Sequence, residues 1–213
     1  MPLYLHEKLE DEVELGLWIV EESEDWFFEQ LELNSAEQDQ FDTIKGRKRV
    51  EWLAVRYLVH QMSGRKKRGA FFKDEFGKPH LEHSRYQISI SHSHEMAAAI
   101  AAPISVGIDI QFIVPKIERI AHKFMRPEEM ASLEDPTRIE HLHVYWGAKE
   151  ALYKAYGRRE LDFCAHIHID PFAFDPSSGQ FTGKIQKDAH LSKYQLSYRQ
   201  DGEYILVYAK ERQ

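Results

Sequence analysis

Residues 106–113, Val-Gly-Ile-Asp-Ile-Gln-Phe-Ile, decide how this chain is read. Val106, Ile108, Ile110 and Phe112 alternate with Gly107, Asp109 and Gln111, the period-two pattern of a strand. Alternate side chains share a face, so Asp109 and Gln111 point one way while Val106, Ile108 and Ile110 point into the core. Gly107 permits close approach of another backbone. Two helices follow, at about 116–133 and 137–157. The second carries Trp146-Gly-Ala-Lys-Glu-Ala-Leu-Tyr-Lys154, in which Trp146, Glu150 and Lys154 recur every four residues on one helical face. Lys149 and Tyr153 form a neighbouring stripe that can cap the wall of a cleft. Strands return at Ala165–Ile169, Gly183–Gln186, Tyr194–Tyr198 and Tyr204–Ala209.

Upstream the same plan recurs. Leu15 to Val20 alternates as a strand, and residues 23–33 read as a short helix packing Trp26, Phe27 and Leu31. A longer helix is expected from Ser35 or Asp42 to Met62, with Val50, Leu53, Ala54, Tyr57 and Leu58 at helical spacing and Ser63-Gly64 as its stop. Gly77 and Pro79 turn the chain between short extended pieces, and Gln87–Ser91 and Met96–Ala102 read as paired strands. The expectation is an α+β fold of two similar, interlocked α/β lobes, a pseudo-dimer spanning 1–105 and 106–213. Each lobe is a small, mostly antiparallel sheet packed on a long helix, with the active site in the cleft between them.

Composition narrows the partners. The 213 residues carry 28 basic and 35 acidic side chains, a net charge of −7, which argues against a surface built to coat nucleic acid. No apolar run approaches the ~20 residues needed to cross a bilayer, and the N-terminus lacks a secretory pattern. A cytoplasmic monomer is expected. Cys164 is the only cysteine, so no internal disulfide can form, and it reads as a small buried residue rather than a nucleophile. The basic runs Lys45–Arg49 and Arg65–Arg68 read as solvated faces or as local sites for an anion. Histidine pairs such as His92/His94, His141/His143 and His166/His168 lack a nearby cysteine or a recognisable third ligand, which disfavours zinc.

Two further motifs carry polar chemistry. Phe76-Gly-Lys-Pro-His-Leu81 forms a tight bend with Lys78 at its tip, and Ile88-Ser-Ile-Ser-His-Ser93 puts Ser91 and His92 at a strand end, where hydroxyl, imidazole and backbone N–H suit a phosphate. Taken in order, Gly-Lys-Pro, Ser-His-Ser, Gly-Ile-Asp-Ile and Trp-x-x-Lys-Glu-Ala-x-x-Lys resemble the 4′-phosphopantetheinyl transferase superfamily over residues 45–157. Within it, the chain resembles the two-lobed, single-chain type that activates surfactin synthetase.

That resemblance implies a magnesium-dependent enzyme, a holo-carrier-protein synthase. It would move the phosphopantetheine arm of coenzyme A onto a serine of an acyl or peptidyl apo-carrier protein, releasing adenosine 3′,5′-bisphosphate. It assigns Asp109 and Glu150 to magnesium and Lys154 to the pyrophosphate. Lys78 and Pro79 go to the adenosine, and Ser91 and His92 to coenzyme A phosphates. Where the family commonly has a third metal-binding glutamate, this chain has Gln111, which can coordinate through its amide oxygen or hold a bound water. The family's basic pair is not evident near Gln38 and Phe41, leaving Arg47, Lys48 or Lys45 for the 3′-phosphate. Glu150, or a water it orients, is the candidate base. A coenzyme A or carrier-binding module without turnover, and a metal-dependent phosphodiesterase, remain the alternatives. Helix 116–133, with Lys116, Arg119, Phe124, Met125 and Arg126, is the candidate docking surface for the carrier.

Overall fold

The computed structural model describes residues 3–212, which form two antiparallel sheets and six helices. They divide into two compact units, 1–103 and 104–213. No helix among the described residues is long and apolar enough to cross a membrane.

In the first unit, β1 (Leu3–Lys8), β2 (Glu14–Ile19), β3 (Phe71–Lys73), β4 (Pro79–Leu81), β5 (Gln87–Ser93) and β6 (Met96–Ala102) form a sheet of order β1-β2-β6-β5-β4-β3. Helices α1 (Glu24–Gln30), α2 (Ser35–Thr43) and α3 (Lys48–Ser63) complete the unit. Leu53, Ala54, Leu58, Val59 and Met62 of α3 join Phe27, Phe41, Ile88 and Ala99 in one core. Where one helix is expected from Ser35 or Asp42 to Met62, the chain forms two, Ser35–Thr43 and Lys48–Ser63. Phe41 closes the first, and the chain turns through Gly46 at φ +64° before α3 starts. Ahead of the first expected strand lies β1, whose polar Leu-Tyr-Leu-His-Glu-Lys edge gives little apolar signal.

Glu37 is the polar centre of this unit. It is fully buried and takes hydrogen bonds from Arg68 Nη1 at 2.9 Å and from the Phe71 N–H at 3.0 Å, with Arg56 Nε at 3.5 Å. Burial pushes its carboxyl up, but Arg68 and the Phe71 N–H outweigh that and hold it below the ordinary value. Burial also pulls the Arg56 guanidinium down to about 9, and its plane lies 3.1 Å from the Trp52 ring centre.

The second unit is a sheet of order β7-β11-β10-β9-β8, made by β7 (Val106–Phe112), β8 (Ile167–Ile169), β9 (Ser178–Lys187), β10 (His190–Asp201) and β11 (Tyr204–Glu211). The last three strands run longer than their apolar centres suggest, because paired backbones extend into polar sequence. One face of this sheet packs on α5 (Arg138–Tyr156), whose Val144, Tyr145, Ala148, Ala151, Leu152 and Ala155 are buried against Leu196, Ile205, Val207 and Ala209. Val106, Ile108 and Ile110 are buried as expected, on the face opposite Asp109 and turned away from α5.

The stretch expected as a helix over 116–133 is a 3-10 helix at Pro115–Lys123 followed by α4 (Pro127–Met130). Phe124 and Met125 are 0% and 5% exposed, so the apolar half of the candidate docking face points into the core. Pro127 forces the break, since it cannot donate a helical hydrogen bond.

Two glycines bring α5 down onto the sheet. A Cβ on Gly107 would lie 1.8 Å from the Ala151 carbonyl oxygen, and one on Gly147 would lie 2.7 Å from Val207 Cγ2. Gly107→Ala is expected to cost about 3 kcal/mol of stability, at the upper end of overpacking penalties because the obstacle is backbone. Urea unfolding against the native chain measures it.

Candidate active site

Register and helical phase together build the acidic centre of the second unit. Asp109 lies opposite Val207 on β11, and Val207 packs against Gly147, so Asp109 shares the sheet face that α5 covers. Gln111 lies two residues on, on the same face. From the helix, Glu150 and Lys154 reach the same region one turn apart. Lys154 Nζ donates to Asp109 Oδ1 at 2.7 Å and to the Ile108 carbonyl at 3.0 Å. Gln111 Nε2 donates to Asp109 Oδ2 at 2.5 Å.

Asp109 is only 6% exposed. Glu150 makes no hydrogen bond or ion pair among the described residues. Burial pushes its carboxyl above the ordinary glutamate range, the negative charge of Asp109 pushes it further, and Lys154 offsets part of this. Two carboxylates that repel one another beside a single ammonium form a locus short of positive charge.

That locus fits a hard divalent cation. Among the described residues no group of three His, Cys, Asp or Glu side chains could hold a metal. Asp109 and Glu150 are two, and magnesium is commonly held by one or two carboxylates, with substrate phosphates and water completing its six ligands.

One participant escaped the sequence reading. His143, 2% exposed, lies on α5 with Nδ1 3.0 Å from Gln111 Oε1, while its Nε2 lies 2.9 Å from the Val114 N–H and 3.2 Å from the Val114 carbonyl oxygen. Burial pulls its pKa down, which favours the neutral ring, against the raising effect of the Val114 hydrogen bond and the nearby acids. Its only sequence signal is being two turns before Glu150 on the same helix, too common a spacing to single it out. His141 points elsewhere, stacked on Tyr145 and Phe174, and burial pulls it down to about 4.

Lys149 does not wall a cleft. It is 0% exposed and donates to Glu129 Oε1 at 2.8 Å, to the Ile167 carbonyl at 2.7 Å and to the Phe163 carbonyl at 3.1 Å. Glu129 also accepts from the Ile169 N–H at 2.9 Å and the Arg126 N–H at 2.8 Å. Trp146 leans on Phe124 and Phe163.

In the first unit the expected anion-binding residues fall into separate positions. Ser91 and His92 lie on opposite faces of β5, because the strand continues to Ser93 and the turn comes only at His94. Ser91 is 7% exposed; His92 is open to solvent, with Nδ1 3.1 Å from Glu51. Arg47 joins it there, 3.7 Å from Glu51 and donating to the His94 carbonyl at 2.8 Å. Lys48 and Lys45 are exposed, whereas Arg49 is committed to Glu24 at 2.8 Å. Lys78 leaves the hairpin tip and donates to Gln87 at 3.2 Å, while Asp74 closes the bend by accepting from the Phe76 and Lys78 N–H groups. Pro79 opens β4.

Comparison with known proteins agrees with this second unit. Residues 105–209, just under half of the chain, match the family model described as the 4′-phosphopantetheinyl transferase superfamily. The match spans β7, α5 and all four of Asp109, Gln111, Glu150 and Lys154, and supports a phosphopantetheinyl transferase role. No curated protein matches the chain.

Two outcomes follow from these charges. Lys149→Met leaves Glu129 buried without its cation and is expected to cost about 3–5 kcal/mol in chemical unfolding. Glu150 carries a raised carboxyl pKa in the fold, so its contribution is present at low pH and is lost as pH rises from the ordinary glutamate value through the raised one. In metal-free buffer Glu150→Gln is therefore expected to raise the melting temperature at neutral pH and to flatten that decline, read by thermal unfolding across pH 4–8.

Proposed function

We propose that this chain transfers the 4′-phosphopantetheine arm of coenzyme A to a serine of an apo-carrier protein, releasing adenosine 3′,5′-bisphosphate. The observation that carries the reading is the meeting of Asp109 and Glu150 on a facing strand and helix, inside the segment that matches the superfamily. Magnesium bound there, completed by pyrophosphate oxygens and water, would supply positive charge to the oxygens of the reacting diphosphate.

The chain's own residues account for the rest. Asp109 and Glu150 would hold the cation. Lys154, already within hydrogen-bond reach of Asp109, can turn its ammonium to the pyrophosphate and favour the leaving bisphosphate. Glu150 is assigned to the serine proton, directly or through a water it orients. Gln111 stands beside Asp109 where relatives commonly carry a third acid. By the resemblance alone, Arg47, Lys48, Ser91 and His92 of the first unit are assigned to coenzyme A phosphates, and Lys78 and Pro79 to adenosine. Holding both substrates in attack geometry supplies much of the rate, because phosphoryl transfer asks for positioning and charge above all.

Incubation with coenzyme A, magnesium and a panel of apo-acyl and apo-peptidyl carriers, read by intact mass, tests this directly. One carrier is expected to gain a single phosphopantetheine. The gain should vanish with chelator and fall at least about a hundredfold in Asp109→Ala and Glu150→Ala. Ligand-induced stabilisation without mass gain would leave a binding module. Phosphopantetheine released with no carrier present would mark a phosphodiesterase.

A further inference from the structure

The hydrogen bonds around His143 fix what Gln111 can do. His143 Nε2 lies 2.9 Å from the Val114 N–H and 3.2 Å from the Val114 carbonyl oxygen; the shorter contact has the N–H donating to the ring lone pair, which puts the ring proton on Nδ1. Nδ1–H then donates to Gln111 Oε1 at 3.0 Å. With its oxygen committed, the amide turns its nitrogen to Asp109 Oδ2 at 2.5 Å. Every donor in this series points the same way, from the Val114 backbone through the imidazole and the amide to the carboxylate. A flipped amide would set N–H against N–H at His143 and oxygen against carboxylate at Asp109, two repulsive contacts in place of two bonds. His143 is 2% exposed, so solvent has little access to replace either.

We propose that Gln111 is a positioning residue for Asp109 rather than a metal ligand, its orientation dictated by His143 in the Nδ1–H form. The proposal rests on the metal site described above. Gln111 fixes one Asp109 oxygen by a neutral donor, adding no third negative charge to a pair of carboxylates that already repel. His143 belongs to the helix and Gln111 to the strand, so the relay also ties the orientation of Asp109 to the packing of α5 on β7. Such outer partners orient metal-binding carboxylates, and their removal commonly weakens metal affinity 10–100-fold.

The tautomer is the first measurement. Metal-free protein labelled with 15N-histidine is expected to show His143 neutral and protonated on Nδ1; an Nε2–H form overturns the relay whatever the protein's activity. Mn2+ affinity, titrated by electron paramagnetic resonance with coenzyme A present, is the second. Gln111→Leu and His143→Leu are each expected to weaken it about 10–100-fold, and the double variant no further than the worse single. His143→Asn, whose amide nitrogen stands near the Nδ1 position, is expected to recover binding to within a few-fold. Loss in Gln111→Leu with none in His143→Leu would make the amide a direct ligand and overturn the proposal, as would no loss in either. Native protein that binds no Mn2+ with coenzyme A would sink the metal site itself, while the tautomer still reports on the relay.

Discussion

The carbonyl oxygen of Ala151 occupies the space where any side chain on residue 107 would begin, 1.8 Å from an ideal Cβ. Strand β7 and helix α5 are therefore in backbone contact at that point, and Gly147 admits Val207 in the same manner on the next strand. This closeness has an electrostatic consequence. Asp109 comes two residues after Gly107 on the strand, and Glu150 immediately precedes Ala151 on the helix. Seating the helix this low brings the two carboxylates near enough for one to raise the pKa of the other. A larger residue at 107 would relieve the repulsion and dismantle the site together.

Each unit also holds its elements by a buried charge. In the second, Lys149 spends its three protons on Glu129 and two carbonyls, and Glu129 gathers the N–H groups of Arg126 and Ile169. In the first, Glu37 draws Arg68, Arg56 and the Phe71 N–H together. Such pairs add little net stability against an apolar alternative, because desolvation offsets most of their attraction. Their value is directional: a buried ammonium with every proton placed permits one rotation of α5. That rotation is what points Glu150 and Lys154 at Asp109 while Lys149, one residue before Glu150, points into the core.

The site is thus a charge arrangement that is incomplete in a useful sense. Asp109 has Lys154 and Gln111, whereas the Glu150 carboxylate has no hydrogen bond or ion pair among the described residues. A divalent cation brought in with a diphosphate, as proposed above, would satisfy both acids and free Lys154 for the phosphate oxygens. In that proposal two acidic side chains would make metal and substrate binding interdependent, since phosphate oxygens would supply part of the coordination.

Much of this was legible in the residues. Period-two alternation fixed β7 and the shared face of Asp109 and Gln111, and helical phase put Glu150 and Lys154 one turn apart, because backbone geometry alone sets those directions. Alternation also found β5 and β6, while the polar edge strand β1 and the break between α2 and α3 went unseen, being decided by pairing and by Phe41 and Gly46 rather than by apolar pattern. Tertiary structure alone decided which lysine of the Lys-Glu-Ala motif is buried, that Ser91 and His92 part to opposite faces, and that His143 reaches Gln111. Those outcomes depend on contacts between residues far apart in the chain, and the direction of a hydrogen bond depends on a proton whose place is set only when the partners meet.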